Sequence, residues 1–212
     1  MKRVSLFCGH YGSGKTNIAV NYAFYLRSLG NEVAIADIDI VNPYFRSKDS
    51  EKELTDLGIR VISLPFANTN VDLPSLPSEV YSLVQNKNVH AVFDVGGDDR
   101  GAYALGRYVP YILEENDFEM FFVANFFRPL TETPEDAFTV LKEIEGACGI
   151  PFTAIVNNSN LGEETTFENI ASTFGKAEKL SEISGLPIAF TCAEKSISAE
   201  NTFPLDLQQK YF

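Results

Sequence analysis

Tryptophan is absent from these 212 residues, histidine and methionine occur twice each, and cysteine three times. Cys8, Cys148 and Cys192 lie far apart and form no C-x-x-C pair, so neither a thiolate metal site nor a disulfide framework is indicated. A reduced, cytoplasmic chain is expected. His10 and His90 have no Ser or Cys partner at a recognisable spacing, which argues against a hydrolytic triad and a zinc site. No apolar run approaches the ~18 residues that a membrane span needs. Lys2 and Arg3 precede only a short apolar run, so no signal peptide is expected. Positive charge is also scarce: 17 basic residues face 29 acidic ones, a net charge of −12. Such a surface disfavours non-specific binding to nucleic acid or to anionic membrane. It also repels free nucleotide at long range, so any phosphate site must carry its own local positive charge.

What is present is enough apolar sequence, 45%, to bury the core of one domain over residues 1–212. Apolar, β-branched runs at Arg3–Cys8, Glu32–Asp37, Arg60–Leu64, His90–Val95, Glu119–Ala124, Phe152–Val156 and Pro187–Thr191 read as strands. Helical patterns lie between them: from Asn17 to the stop at Gly30-Asn31, over Ser78–Gln85, into Tyr111, and over Pro134–Glu145 with Thr133 as N-cap and Gly146 near the end. Further helix is expected between Glu164 and Ser184, interrupted near Gly175. The segment after Asp37, broken by Asn42-Pro43, and the stretch holding Pro65, Pro74 and Pro77 read as loops. The tail from Asn201 has no clear pattern. Alternating strands and helices predict an α/β fold: a mostly parallel sheet of about seven strands with helices on both faces. In such sheets ligands sit beyond the carboxyl ends of strands, where every unusual polar cluster of this chain falls.

The strongest of these clusters is Gly9-His10-Tyr11-Gly12-Ser13-Gly14-Lys15-Thr16. It matches G-x-x-x-x-G-K-[ST] without a mismatch, between a predicted strand and a helix opening at Asn17. Chance alone would produce the pattern in about one chain in a hundred of this length. The glycines let the backbone curl round phosphate oxygens with its N–H groups inward. Lys15 can reach β- and γ-phosphates, the Thr16 hydroxyl can ligate Mg²⁺, and the helix start adds its positive end.

Three weaker clusters follow at later strand ends. Asp37-Ile38-Asp39 can hold Mg²⁺ through water, or orient and deprotonate an attacking water; alternatively Asp37 only caps its strand and Asp39 is solvated. Asp94-Val95-Gly96-Gly97 has the Walker B arrangement, with Asp94 towards Mg²⁺ and the Gly97 N–H at D-x-x-G spacing towards a γ-phosphate. Asp98, Asp99 and Arg100 follow in the segment that would move. Asn157-Asn158 can read a purine edge, or bond locally to backbone. No N-K-x-D follows there, so guanine lacks its carboxylate and adenine is preferred. Cys192 reads as a small buried residue, and Phe126-Phe127-Arg128-Pro129 as a candidate partner contact.

Taken in order, the P-loop, Asp37-Ile38-Asp39 with Asn42-Pro43, Asp94-Val95-Gly96-Gly97 and Asn157 resemble the MinD/ParA/Mrp-like branch of P-loop ATPases, which includes CobQ/CobB-type domains and nitrogenase iron protein. The resemblance covers roughly residues 3–192. It implies a three-layer P-loop NTPase fold, ATP and Mg²⁺ as ligands, and Gly9 to Asn17 with Gly97 around the phosphates. It implies Thr16, Asp37 and Asp94 near the metal, Asp39 (or Asp37) acting on the water, and Asn157 on adenine. Many members dimerise across the nucleotide, so a homodimer is one implied assembly. Where the family has a signature lysine after the first glycine, this chain has His10. The basic C-terminal helix of MinD-like membrane targeting and the C-x-x-C of Mrp-type carriers are missing, and the charge opposes a ParA-like DNA role. The expected function is a slow, Mg²⁺-dependent ATPase that switches affinity for a protein partner. The alternatives are a dethiobiotin-synthetase-like small-molecule kinase or ligase, gripping its acceptor near Arg46, and a non-hydrolysing ATP-binding scaffold.

Overall fold

The computed structural model describes residues 1–39, 51–63, 78–97 and 99–207. Asn42-Pro43, Arg46, Leu64, the three prolines of the 65–77 stretch and Asp98 lie outside them, as do the side chains of Asp99 and Arg100. The strands are β1 (Val4–Cys8), β2 (Val33–Asp37), β3 (Arg60–Ser63), β4 (His90–Asp94), β5 (Phe118–Ala124), β6 (Ala154–Asn157), β7 (Ile188–Glu194) and β8 (Thr202–Leu205). They form one sheet in the order β3-β2-β4-β1-β5-β6-β7-β8 with every pairing parallel. The expected α/β architecture is thus present, with an eighth strand supplied by the tail that shows no sequence pattern.

Parallel strands covered on both faces must be apolar on both sides, and β1 and β2 are buried at every position. Val4, Leu6 and Cys8 face a layer built by α3 (Ser78–Gln85), α4 (Asp99–Gly106), α5 (Val109–Glu115), α6 (Pro134–Cys148) and α8 (Phe174–Ser184). Phe7 points the other way, into the layer of α1 (Lys15–Ser28) and α2 (Glu51–Asp56), where it stacks on Phe121 at 4.9 Å and meets Tyr22 edge-on at 5.2 Å. The chain leaves β1 for one half of the sheet, through α1, and enters the other half at β5. The carboxyl end of β1 is therefore the topological switch point, where such sheets open a crevice.

Several boundaries differ from expectation for local reasons. The region expected to be helical into Tyr111 is two helices, α4 and α5. α6 runs three residues past Glu145 because Gly149, not Gly146, takes the left-handed conformation that ends it (φ 69°). Its N-cap is Thr133, whose hydroxyl accepts from the Asp136 amide at 3.1 Å. The break between α7 (Phe167–Ala171) and α8 falls at Ser172-Thr173 while Gly175 sits inside α8. Thr173 is buried there and its hydroxyl donates to the Ile170 carbonyl at 2.7 Å. The three cysteines are buried free thiols. Among the described residues no helix is long and apolar enough to cross a membrane.

At the amino end of the sheet, Arg3 is 6% exposed and donates to the carbonyls of Leu83 and Val89, both at 2.9 Å, and pairs with Glu115. Burial would raise the Glu115 pKa, but Arg3 and Lys87 outweigh it and hold the carboxyl below its ordinary value. Glu115→Ala leaves a buried guanidinium without its counter-charge and should destabilise the protein by about 3 kcal/mol. The pH sign follows from the lowered pKa: this contribution is complete above the ordinary value of 4.5 and is lost as pH falls through the folded one. Urea midpoints of wild type and variant should differ widely at neutral pH and converge in acid. An equal gap at both pH values would show that the charge of Glu115 is not what stabilises.

Candidate functional site

The 9–14 loop joins β1 to α1 at the switch point. Gly12 and Gly14 have φ of 79° and 86°, the left-handed region that glycine enters without penalty. A Cβ at Gly9 would lie 2.4 Å from the Val123 carbonyl oxygen, so the loop can leave β1 beside β5 only as glycine. The Ser13 amide donates to the His10 carbonyl at 3.0 Å and tightens the turn. Gly14 caps α1 without a side-chain bond, and the first turn of α1 holds no acid. The positive end of this helix therefore meets no anionic side chain of its own. Tyr11 is 63% exposed, and the His10 ring nitrogen Nδ1 lies 3.1 Å from the Tyr11 carbonyl oxygen.

Lys15 and Thr16 open α1 and are both buried. Lys15 Nζ lies 2.9 Å from Asp39 Oδ2. Burial would lower the lysine pKa, but the charges of Asp94 and Asp39 overcome it and hold the ammonium protonated above its ordinary range. Thr16 Oγ1 donates to Asp94 Oδ2 at 2.6 Å. Asp94 is fully buried and its second oxygen, Oδ1, has no hydrogen-bond partner among the described residues. Burial pushes the Asp94 carboxyl up to about 7; Lys15 and Thr16 pull it down, and the nearby Asp39 adds to the rise.

Asp37 stands beside Asp94 in register on β2 and β4. Its Oδ1 accepts from the Asp39 amide at 3.0 Å, which turns the chain so that Asp39 returns to Lys15. The 96–97 segment is packed equally tightly. A Cβ at Gly97 would lie 2.0 Å from the Gly9 carbonyl oxygen, and one at Gly96 would lie 3.1 Å from Asp39 Oδ1. A Cβ at Gly101, which the sequence does not single out, would lie 2.4 Å from the Gly96 Cα. The residues from Gly9 to Thr16, Asp37, Asp39, Asp94 and Gly97 therefore come together at the carboxyl end of the sheet although they follow three separate strands.

Thr16 and Asp94, with Asp37 in register beside Asp94, carry oxygens of the kind that Mg²⁺ takes, and the orphaned Asp94 Oδ1 is a buried acceptor suited to a cation or its water. Among the described residues no three His, Cys, Asp or Glu side chains make a metal cage by themselves. Mg²⁺ fits such a place when phosphates and waters complete its shell.

Asn157 and Asn158 take different partners. Asn157 is fully buried: its Nδ2 donates to Thr173 Oγ1 at 3.0 Å, and its Oδ1 accepts from Ser159 Oγ at 2.7 Å. The adenine contact expected of Asn157 finds no exposed group on this amide. Asn158 instead reaches the P-loop, donating from Nδ2 to the Ser13 carbonyl at 2.7 Å. A Cβ at Gly14 would fall 2.3 Å from that nitrogen. Two further residues carry no motif signal. Asn125 is buried and holds the turn after β5, its Oδ1 accepting from the Phe127 amide at 3.0 Å. Arg128 Nε donates to the Gly12 carbonyl at 3.1 Å. Phe126, expected in a partner contact, is only 1% exposed and belongs to the core.

No protein-family model matches the chain, and no curated protein matches it in sequence. Solved structures do. Cell division protein FtsY from Thermotoga maritima is 20% identical, with a TM-score of 0.62 over 96% of this chain and 65% of that one. FtsY from Mycoplasma mycoides is 17% identical, with a TM-score of 0.56 over 92% of this chain and 61% of that one. The signal recognition particle receptor FtsY from Elizabethkingia anophelis, in complex with GDP, is 14% identical, with a TM-score of 0.57 over 92% of this chain and 58% of that one. This chain thus spans about three-fifths of the length of these neighbours. None of the three selects the MinD/ParA/Mrp branch. At these identities the likeness establishes architecture: a parallel α/β sheet of the P-loop NTPase fold.

Proposed function

We propose that this chain is a single nucleotide-binding unit of the MinD/ParA/Mrp-like kind, which binds Mg²⁺–ATP at residues 9–17, hydrolyses it slowly and thereby switches its affinity for a protein partner. The observation that carries the reading is the paired contact at the start of α1: Lys15 on Asp39 and Thr16 on Asp94. The two helix residues that would grip a nucleotide already hold the two acidic loops that would respond to it. An arriving γ-phosphate would compete with Asp39 for Lys15, and the displaced loop would report occupancy. Mg²⁺, when bound, would neutralise phosphate charge beside Thr16, Asp94 and Asp37. Asp39, oriented by the hydrogen bond that its backbone N–H donates to Asp37 Oδ1, would hold the attacking water. The Gly97 amide would follow the γ-phosphate, because Gly97 already touches Gly9.

GTP is the second reading, favoured by the GDP-bound structural neighbour. Against it, residues 157–160 are Asn-Asn-Ser-Asn and offer guanine no carboxylate. Calorimetry with Mg²⁺–ATP and Mg²⁺–GTP, with phosphate release followed in parallel, decides between them. Tighter ATP binding with slow release is expected. Selective GTP binding would replace ATP by GTP, and ATP binding without release would leave a kinase awaiting its acceptor or a scaffold.

A further inference from the structure

Arg128 is an exposed cation laid against the P-loop. Its Nε donates to the Gly12 carbonyl at 3.1 Å, and a Cβ on Gly12 would lie 3.4 Å from Nε and 3.7 Å from Cζ. The guanidinium thus covers the loop at Gly12, two residues before Gly14. Its backbone is fixed: the Arg128 amide donates to the Asn125 carbonyl at 3.1 Å, and Thr131 Oγ1 donates to the same carbonyl at 2.6 Å. Asn125 in turn donates from Nδ2 to the Asn160 carbonyl at 3.3 Å, tying this turn to the loop after β6. Pro129 follows at once and starts a 3₁₀ turn over Pro129–Thr131, limiting the backbone freedom of the residue before it.

The charge of Arg128 is not spent. Among the described residues no carboxylate pairs with it, although the chain has 29 acidic side chains, whereas Lys15 is committed to Asp39. A guanidinium has five N–H donors in a planar fork that matches phosphate. Nε alone is used here, which leaves the two terminal nitrogens for a ligand. In a protein of net charge −12 a phosphate chain needs local positive charge.

We propose that Arg128 is a second phosphate-binding cation of the P-loop: it holds the loop through Gly12 and contributes its charge and terminal N–H groups to the phosphates of the bound nucleotide. This inference rests on the nucleotide reading above. It is tested by calorimetry with Mg²⁺–ATP, Mg²⁺–ADP and AMP on wild type, Arg128→Lys and Arg128→Met at several salt concentrations, with Lys15→Ala as reference. Arg128→Met should lose about tenfold in ATP and ADP affinity and much less for AMP, with a shallower salt dependence. Arg128→Lys, which keeps the charge but not the fork, should recover only part of the loss, and thermal midpoints should stay close to wild type, since the side chain is exposed. Affinities equal to wild type overturn the proposal. So does a loss of the same size for AMP, which would place Arg128 on the α-phosphate, ribose or base and not on the β- and γ-phosphates. If the wild type binds none of these nucleotides nor Mg²⁺–GTP, the nucleotide reading falls and this inference with it. If the wild type binds, Lys15→Ala does not and Arg128→Met is unaffected, this inference alone falls.

Discussion

Lys15→Ala should weaken Mg²⁺–ATP binding by at least about a hundredfold, the cost of losing a charge-assisted contact to phosphate. It should also unsettle the fold, and the two effects have different causes. Lys15 is the counter-charge of Asp39, 2.9 Å away, and of the fully buried Asp94. Removing the ammonium strands both carboxylates in a crevice that already pushes Asp94 upward, and breaking a buried pair costs about 3–5 kcal/mol. The folded variant would bind protons more readily than the unfolded chain does, so its stability should fall as pH rises from acid towards neutrality. Lys15→Met with Asp39→Asn separates the causes. The double variant removes the charge and its partner together, so urea denaturation should show most of the stability restored. Nucleotide affinity should stay low. If affinity recovered with stability, Lys15 would act on the fold and not on phosphate, and the site assignment would be wrong.

The part of the crevice built from contiguous residues was legible in the sequence. A glycine loop between an apolar strand and a helix is one local structure, and its spacing survives any tertiary arrangement. Asp37 and Asp94 were legible for a related reason: both close buried strands, and strands that pair in parallel bring their ends together. What escaped depends on which face a side chain takes. Asn157 and Asn158 are neighbours, and a shift of one residue exchanges their faces. The pairing of β6 with β7 has an irregularity between Ile155 and Val156, two residues before this end, so alternation along the strand did not decide the matter. Arg128 and Gly101 escaped because their partners, Gly12 and Gly96, are brought to them only by folding. α2 is six mostly polar residues of which only Leu54 is buried, too short to show a helical period. β8 contains Pro204 and has one buried position, Leu205, so it carries no apolar run, yet its register with Thr191–Glu194 completes the sheet.

Asp39→Asn should act in two opposite directions. The Asp39 carboxylate holds the ammonium that a γ-phosphate would need, so on the proposed reading ATP binding would have to part the pair. An asparagine holds Lys15 less strongly and presents no negative charge to the incoming phosphate. Affinity for Mg²⁺–ATP should therefore rise, by about tenfold if the displaced contact is an ordinary charge-assisted one. Hydrolysis should fall by at least about a hundredfold, the usual contribution of a positioned general base. Single-turnover phosphate release measured beside equilibrium binding reads both. Asp37→Asn serves as the comparison. Its remaining amide oxygen can still accept from the Asp39 N–H, so the turn that aims Asp39 is kept while the charge on Asp37 is lost. If Asp39→Asn hydrolyses at the wild-type rate while Asp37→Asn does not, Asp39 acts only as the competitor for Lys15, and the loss at Asp37 lies with the metal or the water it would hold. If neither variant slows release, the carboxylates of this loop are not the groups that activate water. If Asp39→Asn binds ATP more weakly than wild type, the Lys15–Asp39 pair supports nucleotide binding instead of competing with it.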